Sequence, residues 1–178
     1  YVEDLVPGKE IETHCINRKG LFETFIGNGK DIFPYHLKVD FGIGRFTRFY
    51  DCYSFLPVLT EYDLFLFNQG NNFKIYEKLG SHPIRHQGVS GVLFAVWAPS
   101  ASRVSVIGDF NQWDGRRHQM RSRGSSGIWE IFVPHLKADL LYKFEIRTQD
   151  RTLLIKSDPF AFRFEKRPKT AAIVHDLN

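Results

Sequence analysis

Residues 127–133 read GIWEIFV, and residues 20–26 read GLFETFI, so one pattern of glycine, apolar residues and a glutamate occurs twice, 107 positions apart. The same offset holds without a gap over two further segments, which are 35–39 with 142–146 and 51–55 with 158–162. Self-similarity at a fixed period indicates repeated structural units. The sequence therefore predicts two copies of one domain.

The second copy has the pattern of an all-β domain. Short runs rich in Val, Ile, Phe and Tyr, separated by turn-forming clusters, occur at 92–98, 104–107, 119–122, 128–133, 141–147, 152–156 and 171–175. Such runs predict strands, and about seven short strands at this spacing are typical of an immunoglobulin-like sandwich. The predicted fold class is therefore all-β, with two immunoglobulin-like β-sandwich copies.

The two copies differ at their starts. In the second copy, the strand signals at 92–98 and 103–108 precede the shared part, whereas the offset would place their counterparts before Tyr1. We therefore expect an incomplete first copy and a longer parent protein. The predicted division is an incomplete first sandwich at 1–60, a linker at 61–90 and the second sandwich at 91–178. A short helix is predicted at 73–79, closed by Gly80.

Composition excludes several classes of protein. Of the 178 residues, 43% are apolar and 15% aromatic, which argues against disorder. No run approaches the roughly 18 apolar residues of a membrane helix, and no signal peptide opens the sequence, so we expect a cytoplasmic protein without a membrane partner. Two cysteines, Cys15 and Cys52, are too few for a disulfide framework. The basic excess lies in 61–178, with 17 Lys/Arg against 12 Asp/Glu.

The richest candidate segment for binding is GDFNQWDGRRHQM at 108–120. Trp113 follows a strand end among loop-forming residues, and an exposed ring there can stack on the C–H face of a sugar. Asn111 and Asp114 lie beside it and could hydrogen-bond hydroxyl groups. The aligned residue in the first copy is Val6, so the fold does not require the ring. We predict an exposed, sugar-binding Trp113; the alternative is a local plug over the loop.

Lys143 is a further candidate, because it alternates outward on its predicted strand and could donate to sugar hydroxyls. The alternative for Lys143 is ordinary solvation of a sheet face. Two other tryptophans, Trp97 and Trp129, are predicted to pack, since Phe22 replaces Trp129 in the first copy. No metal-binding, nucleophile, P-loop or dinucleotide motif occurs, so we predict no cofactor, no metal and no catalytic residue.

Four arginines fall within eight residues, at Arg116, Arg117, Arg121 and Arg123. Such a cluster could contact phosphates, which would make the protein a nucleic-acid binder with salt-sensitive affinity. No base-reading motif accompanies it. A solvated loop or an interdomain contact is the favoured interpretation, and we expect no nucleic-acid partner.

Several segments together resemble a known family. They are FAVWAP at 94–99, VSV at 104–106, GDFN at 108–111, WDGRRH at 113–118, and the flanking YEKLGSHP at 76–83, LYKFEI at 141–146 and KSDP at 156–159. In these segments the chain resembles the family 48 carbohydrate-binding module of bacterial 1,4-α-glucan (glycogen) branching enzymes. Residues 1–55 resemble the related sandwich that such enzymes often carry ahead of this module.

The resemblance implies a parent enzyme that cleaves an α-1,4 link in a glucan and transfers the released segment to a 6-hydroxyl. In that family the reaction is retaining and uses two carboxylic side chains on a (β/α)8 barrel, which would follow Asn178. The implied partners are α-1,4-glucan or glycogen and the barrel of the same parent chain. This chain, without the barrel, is expected to be inactive alone.

The resemblance also bears on the sugar site. In the related glycogen-binding module of AMP-activated protein kinase, the sugar site uses a tryptophan matching Trp113 and a lysine matching Lys143, together with a second tryptophan and an asparagine. Near those last two places this sequence has Ile155 and the pair Ala171 and Ala172. Two roles therefore stay open, which are glucan binding through the second copy and bracing of the barrel. A stand-alone regulatory or scaffolding module is a further alternative, which a stop codon directly after Asn178 would favour.

Overall fold

A computed structural model describes residues 2–3, 10–25 and 32–177 of the chain. The chain divides into two compact units, Tyr1–Leu56 and Pro57–Asn178. Both units are built mainly from antiparallel strands. The predicted all-β class is therefore confirmed.

The first unit contains six strands in its described residues. They are β1 (Val2–Glu3), β2 (Glu10–Ile11), β3 (His14–Cys15), β4 (Phe22–Glu23), β5 (His36–Asp40) and β6 (Phe46–Tyr50). Four of them form a sheet in the order β2-β1-β5-β6, while β3 and β4 pair with each other. A 3₁₀ turn at Cys52–Ser54 follows β6. The β5–β6 hairpin is the longest pairing in this unit.

The second unit contains helix α1 and nine strands. Their bounds are α1 (Glu61–Asn68), β7 (Gly80–His86), β8 (Val89–Trp97), β9 (Ala101–Gly108), β10 (Arg121–Ser122), β11 (Ile128–Pro134), β12 (Leu141–Thr148), β13 (Leu153–Lys156), β14 (Arg163–Phe164) and β15 (Ala172–Ile173). One sheet has the order β10-β11-β8-β7. In the other, β9 pairs one edge of β12, while β13 and β15 pair its other edge.

The two sheets pack face to face around an aromatic core. The rings of Phe94 on β8 and Tyr142 on β12 lie 5.1 Å apart, edge to face. Val106 and Phe144, which pair with each other across β9 and β12, are also fully buried. Side chains alternate between the faces of a strand, so Lys143 and Glu145 of β12 point to the opposite, outer face.

A second core lies on the outer face of the β8–β11 sheet. Leu93, Ala95 and Ile128 pack there against buried leucines from the segment before β7, which are Leu59, Leu64 and Leu79. The run of apolar residues in β8 is explained by this packing, because a strand that is covered on both faces has few solvated positions. Residues 61–90, where the sequence predicts a linker with a short helix, thus also contain strand β7, and their helix α1 packs on this sheet.

A buried ion pair fixes that segment to β11. Glu130 accepts hydrogen bonds from the backbone N–H groups of Val58 (3.1 Å) and Leu59 (3.0 Å). Its other oxygen pairs with Arg123, whose guanidinium also donates to the Leu59 carbonyl at 2.6 Å. Hydrogen bonds from several groups are what make a buried carboxylate tolerable. Residues 57–61 are therefore an integral part of the second unit.

The helix in the segment before β7 lies at a different position from the one predicted. Helix α1 begins with a capping box, in which Asp63 N–H donates to Thr60 Oγ1 (3.1 Å) and Thr60 N–H donates to the Asp63 carboxylate (2.8 Å). The helix predicted at 73–79 is instead a single 3₁₀ turn, Ile75–Glu77. Gly80 does not stop a helix but opens β7 with a φ of +107°, against the Phe160 carbonyl.

The internal repeat is confirmed at the level of individual contacts. Leu37 pairs with Phe49 in the first unit, and Phe144 pairs with Lys156 in the second, which is the same register at an offset of 107. The Tyr35 hydroxyl donates to Asp51 at 2.6 Å. In the second unit, the aligned Tyr142 donates to the aligned Asp158 at 2.5 Å.

Candidate functional site

The predicted site residues Asn111, Trp113 and Asp114 lie on one loop, residues 109–120, which we call the Trp113 loop. The end of this loop runs antiparallel to β9, because Val106 N–H donates to the His118 carbonyl (3.1 Å) and Met120 N–H donates to the Val104 carbonyl (2.8 Å). Strand β12 holds the other edge of β9. The loop is thereby attached to a rigid sheet.

Trp113 is held by its backbone and by its indole nitrogen. Its N–H donates to the Gly108 carbonyl at 2.9 Å, and its Nε1 donates to Asp109 Oδ1 at 2.9 Å. Its φ is +59°, an uncommon value for a non-glycine residue. The side chain is 37% exposed. The predicted exposure of the ring is therefore confirmed, and its edge is fixed while part of its surface meets solvent.

Asn111 has a different position from the one expected of a sugar contact. It is 1% exposed, and its amide is engaged entirely within the loop and β9. Loop backbone groups that are removed from water need such partners. Asn111 therefore does not reach a sugar hydroxyl in this structure, and any role in binding is indirect.

Asp114 is bound by a neighbouring arginine. Arg116 Nε and Nη2 donate to the two Asp114 oxygens at 2.9 and 2.8 Å, and the Arg116 N–H also donates to Oδ1 at 3.0 Å. These hydrogen bonds hold the pKa of Asp114 well below its usual range. The carboxylate is thus charged and fixed in orientation, and it presents the exposed guanidinium of Arg116 to solvent.

Lys143 lies on β12 at the same end of the sheet as Trp113. It pairs with Ile107, and the next residue of β9, Gly108, accepts the hydrogen bond from the Trp113 N–H. The Lys143 ammonium donates to Thr170 Oγ1 at 2.7 Å. Since an ammonium has three donors, this bond orients Lys143 and leaves donors for a ligand. Thr170, between β14 and β15, is a partner of this candidate site residue that the sequence did not reveal.

Glu145, on the outer face of β12, contacts the Trp113 loop at Gly115. A Cβ atom on Gly115 would meet the Glu145 carboxylate, so glycine lets the loop approach this group without displacing it. Arg103 Nη2 donates to Glu145 Oε1 at 2.8 Å. Glu145 and Arg103 were not predicted as part of the site, although the alternation on β12 that singles out Lys143 also places Glu145 on this face.

The face beside the loop is partly apolar. Ile155 of β13 pairs with Glu145, and directly paired residues point to the same side of a sheet. Ile155 is exposed there, whereas Ala171 and Ala172 are buried. An exposed aliphatic side chain, Ile155, thus lies on this face, near the place where the related kinase module has its second tryptophan.

The other two tryptophans differ from Trp113 in their surroundings. Trp97 is 53% exposed, so the prediction that it packs holds only in part. It lies at the end of β8, where its ring meets the edge of Phe67 and its Nε1 donates to the Ser126 carbonyl at 3.2 Å. Trp129 is half-buried, and its Nε1 donates to the Ala98 carbonyl at 3.0 Å. Helix α1 covers only one side of Trp97, which explains its exposure.

The four clustered arginines do not act together. Arg123 is buried in its pair with Glu130, and Arg116 is paired with Asp114. In the described part of the chain, no three His, Cys, Asp or Glu side chains are grouped to hold a metal ion. No described helix has the length and apolar character needed to cross a membrane.

The chain is similar in sequence to a known domain family and to known enzymes. Residues 78–161 match the family model described as carbohydrate-binding module 48 (isoamylase N-terminal domain). The chain is 48% identical over 171 residues to a 1,4-alpha-glucan branching enzyme of Synechococcus elongatus, covering 96% of this chain and 22% of that protein. It is 52% identical over 160 residues to a 1,4-alpha-glucan branching enzyme of Myxococcus xanthus, covering 89% and 22%.

Among solved structures, a pullulanase from Bacillus acidopullulyticus matches 56% of this chain and 12% of its own, at 22% identity and a TM-score of 0.45. The chain spans 22% of the length of the two branching enzymes. Residues 78–161 are therefore identified as a carbohydrate-binding module of family 48, and over most of its length the chain matches one region of 1,4-alpha-glucan branching enzymes.

Proposed function

We propose that this chain is the non-catalytic, glucan-binding region of a cytoplasmic 1,4-α-glucan (glycogen) branching enzyme. In this proposal the whole enzyme cleaves α-1,4 links and forms α-1,6 branches, and its catalytic (β/α)8 barrel lies outside these 178 residues. The identity to branching enzymes over 89–96% of the chain supports it. The chain alone is then inactive, and its partners are α-1,4-glucan and the barrel of the parent protein.

The observation that carries glucan binding is the partly exposed Trp113 ring, fixed by Gly108 and Asp109. A tryptophan face stacks on the C–H face of a glucose ring, and the nearby Lys143 ammonium donates to its hydroxyls. Asn111 and Asp114 contribute indirectly, by holding the loop and by orienting Arg116. All of these side chains lie within 91–178, so we assign the sugar site to that part of the predicted division.

A second role, bracing of the barrel, is supported by exposed aromatic side chains in and after α1. These are Tyr62, Phe65, Phe73 and Tyr76. Exposed apolar side chains that together form a patch mark interaction surfaces. The two roles use different residues of the second unit. The alternative of a stand-alone regulatory or scaffolding module predicts glucan binding without any linked catalytic domain.

Affinity electrophoresis in gels with and without glycogen tests glucan binding. We expect glycogen to retard the wild-type chain and Trp113→Ala to lose most of the retardation. Trp97→Ala is the matched control, because it removes an exposed tryptophan from another surface. Thermal unfolding of each variant establishes that it is folded. Equal retardation of Trp113→Ala and wild type would contradict the proposed platform, and no retardation of the wild type would leave bracing as the role.

A further inference from the structure

The interior of the Trp113 loop is organised by the amide of Asn111. The Gly108 N–H donates to Asn111 Oδ1 at 2.9 Å, and Asn111 Nδ2 donates to the Val106 carbonyl at 2.9 Å. One partner is a backbone donor and the other a backbone acceptor. The orientation of the amide is therefore fixed without ambiguity.

This orientation determines the protonation state of a histidine. The second hydrogen of Asn111 Nδ2 points to His118 Nδ1, at 2.9 Å. Because an amide nitrogen can only donate, Nδ1 has to accept and carries no proton. His118 is therefore neutral, with its proton on Nε2.

The same contacts connect His118 to the exposed tryptophan. Gly108 donates through its N–H to Asn111 and accepts, through its carbonyl, the N–H of Trp113 at 2.9 Å. A chain of hydrogen bonds thus runs from His118 through Asn111 and Gly108 to Trp113. The His118 ring also packs edge-on against Phe110, with centroids 5.6 Å apart, which limits its freedom to turn away.

We propose that the Asn111–His118 hydrogen bond is a pH-sensitive latch of the Trp113 loop, closed only while His118 is neutral, so that α-glucan binding weakens when His118 is protonated. A protonated ring would place an N–H on Nδ1 opposite the N–H of Nδ2, and one buried donor would lose its acceptor. This proposal rests on the proposed glucan site. His118 acts in it as a positioning residue and does not touch the sugar.

The sign of the pH effect follows from the surroundings of His118. Burial, and then the charge of Arg117, lower the pKa of His118. The latch is therefore fully present above the ordinary histidine pKa of about 6.5, and it is lost only as the pH falls through the lowered pKa of His118. The other charged groups around the loop are Asp109, Asp114 and Arg116 on the loop itself, Arg103 on β9, and Lys143 and Glu145 on β12. Glu145 is the carboxylate that Gly115 contacts, so it needs its own control.

The test is the pH dependence of glycogen affinity, measured by affinity electrophoresis of the 178-residue chain from pH 7.5 down to a pH at which NMR shows His118 protonated. For wild type we expect about tenfold weaker binding at the lower pH, the order of effect of one unsatisfied buried group. His118→Asn supplies an amide oxygen near the position of Nδ1 and does not titrate, so it should bind almost equally at both pH values. His118→Phe, which has no acceptor, should bind weakly at both, and Glu145→Gln should retain the pH dependence.

Nitrogen-15 NMR of the His118 ring gives a readout independent of glucan. We expect the Nε2–H tautomer at pH 7.5 and a Trp113 indole N–H resonance that shifts with the same midpoint as the ring. Equal pH dependence in wild type and His118→Asn, or a proton on Nδ1 at pH 7.5, would overturn the latch. Trp113-dependent binding that does not change with pH would overturn the latch alone. Absence of Trp113-dependent binding at both pH values would overturn the proposed glucan site as well.

Discussion

The two copies of the repeat share a sequence pattern and differ in burial. Phe132 on β11 is 4% exposed, whereas the aligned Phe25 in the first copy is 82% exposed. Ile128 is fully buried, whereas the aligned Leu21 is exposed. The same alternation of apolar residues thus lies in a core in one unit and at the surface in the other.

The difference has its cause in the neighbouring strands. Strand β11 pairs with β8 along its whole length. Leu59, Leu64 and Leu79, from the segment before β7, cover the outer face of this sheet. In its described residues, 20–25, the aligned stretch of the first copy forms β4, which pairs with the two residues of β3. A local pattern is sufficient to form an extended segment, but burial requires partner strands that the pattern does not encode.

The largest predicted effect concerns the aligned phenylalanines. Phe132→Ala should lower the free energy of unfolding of the second unit by about 4 kcal/mol, because it leaves a cavity in a packed core. Phe25→Ala, at an exposed position, should change the free energy of unfolding of the first unit by less than about 0.5 kcal/mol. Urea unfolding followed by circular dichroism measures both. A similar loss in the two variants would show that the first unit buries Phe25 in solution.

The aligned glutamates give the next largest contrast. Glu130 is buried, paired with Arg123 and bonded to the N–H groups of Val58 and Leu59, whereas Glu23 is exposed. Glu130→Ala should cost about 3 kcal/mol, since Arg123 loses its buried carboxylate and the N–H groups of Val58 and Leu59 lose their acceptor. Glu23→Ala should be nearly neutral. Thermal unfolding measures both, and stability unchanged in Glu130→Ala would refute the role of the ion pair in holding residues 57–61.

The tyrosine–aspartate pair sharpens the comparison, because both copies form it. Burial raises the pKa of Tyr142 above its usual range, so its hydroxyl remains a donor to Asp158 at any ordinary pH. Tyr142→Phe should destabilise the second unit by about 2 kcal/mol, since Asp158 loses a buried donor. Tyr35→Phe should cost less than about 1 kcal/mol, because its partner is closer to solvent. Denaturant titration of the two variants is the measurement, and a larger loss for Tyr35→Phe contradicts the assignment of the better-packed copy.

The smallest predicted effect concerns glucan. Lys143→Ala should weaken retention in glycogen gels about threefold, the order of one exposed hydrogen bond. His36→Ala, at the aligned position of the first copy, should leave retention unchanged, because that copy has Val6 at the place of Trp113. A shift of equal size in both variants would mean that the first copy also binds glycogen.

Sequence patterns predicted the long strands and missed the elements that depend on tertiary contacts. Strand β7 has the sequence GSHPIRH, in which polar residues and Pro83 hide the strand. A proline is tolerated there because β7 is the edge of its sheet. Helix α1 lacks a helical apolar period, and its start is fixed by the capping box of Thr60 and Asp63. Short helices of this kind are stable through packing more than through propensity, here through Leu64.

The sequence predicted part of the candidate site and missed the part that depends on tertiary contacts. An aromatic residue among loop formers indicated Trp113, and alternation on β12 indicated Lys143. From the sequence, Asn111 looked like a sugar ligand because it is a polar residue beside Trp113. In the structure its amide is hydrogen-bonded to Val106, Gly108 and His118. Which polar side chains of a loop face solvent depends on the backbone groups that the loop has to satisfy, and no spacing rule reports that.

The sequence by itself determined the repeat of 107 residues, the all-β class, the family motifs and the position of the exposed tryptophan, because these follow from local residue patterns. The tertiary structure decided which copy buries its apolar face, which amide is internal to the loop, and which segment covers β11. Those outcomes depend on groups far apart in the chain, such as Glu130 with Val58. Burial and hydrogen-bond satisfaction are properties of such distant pairs, so they become visible only once the chain is folded.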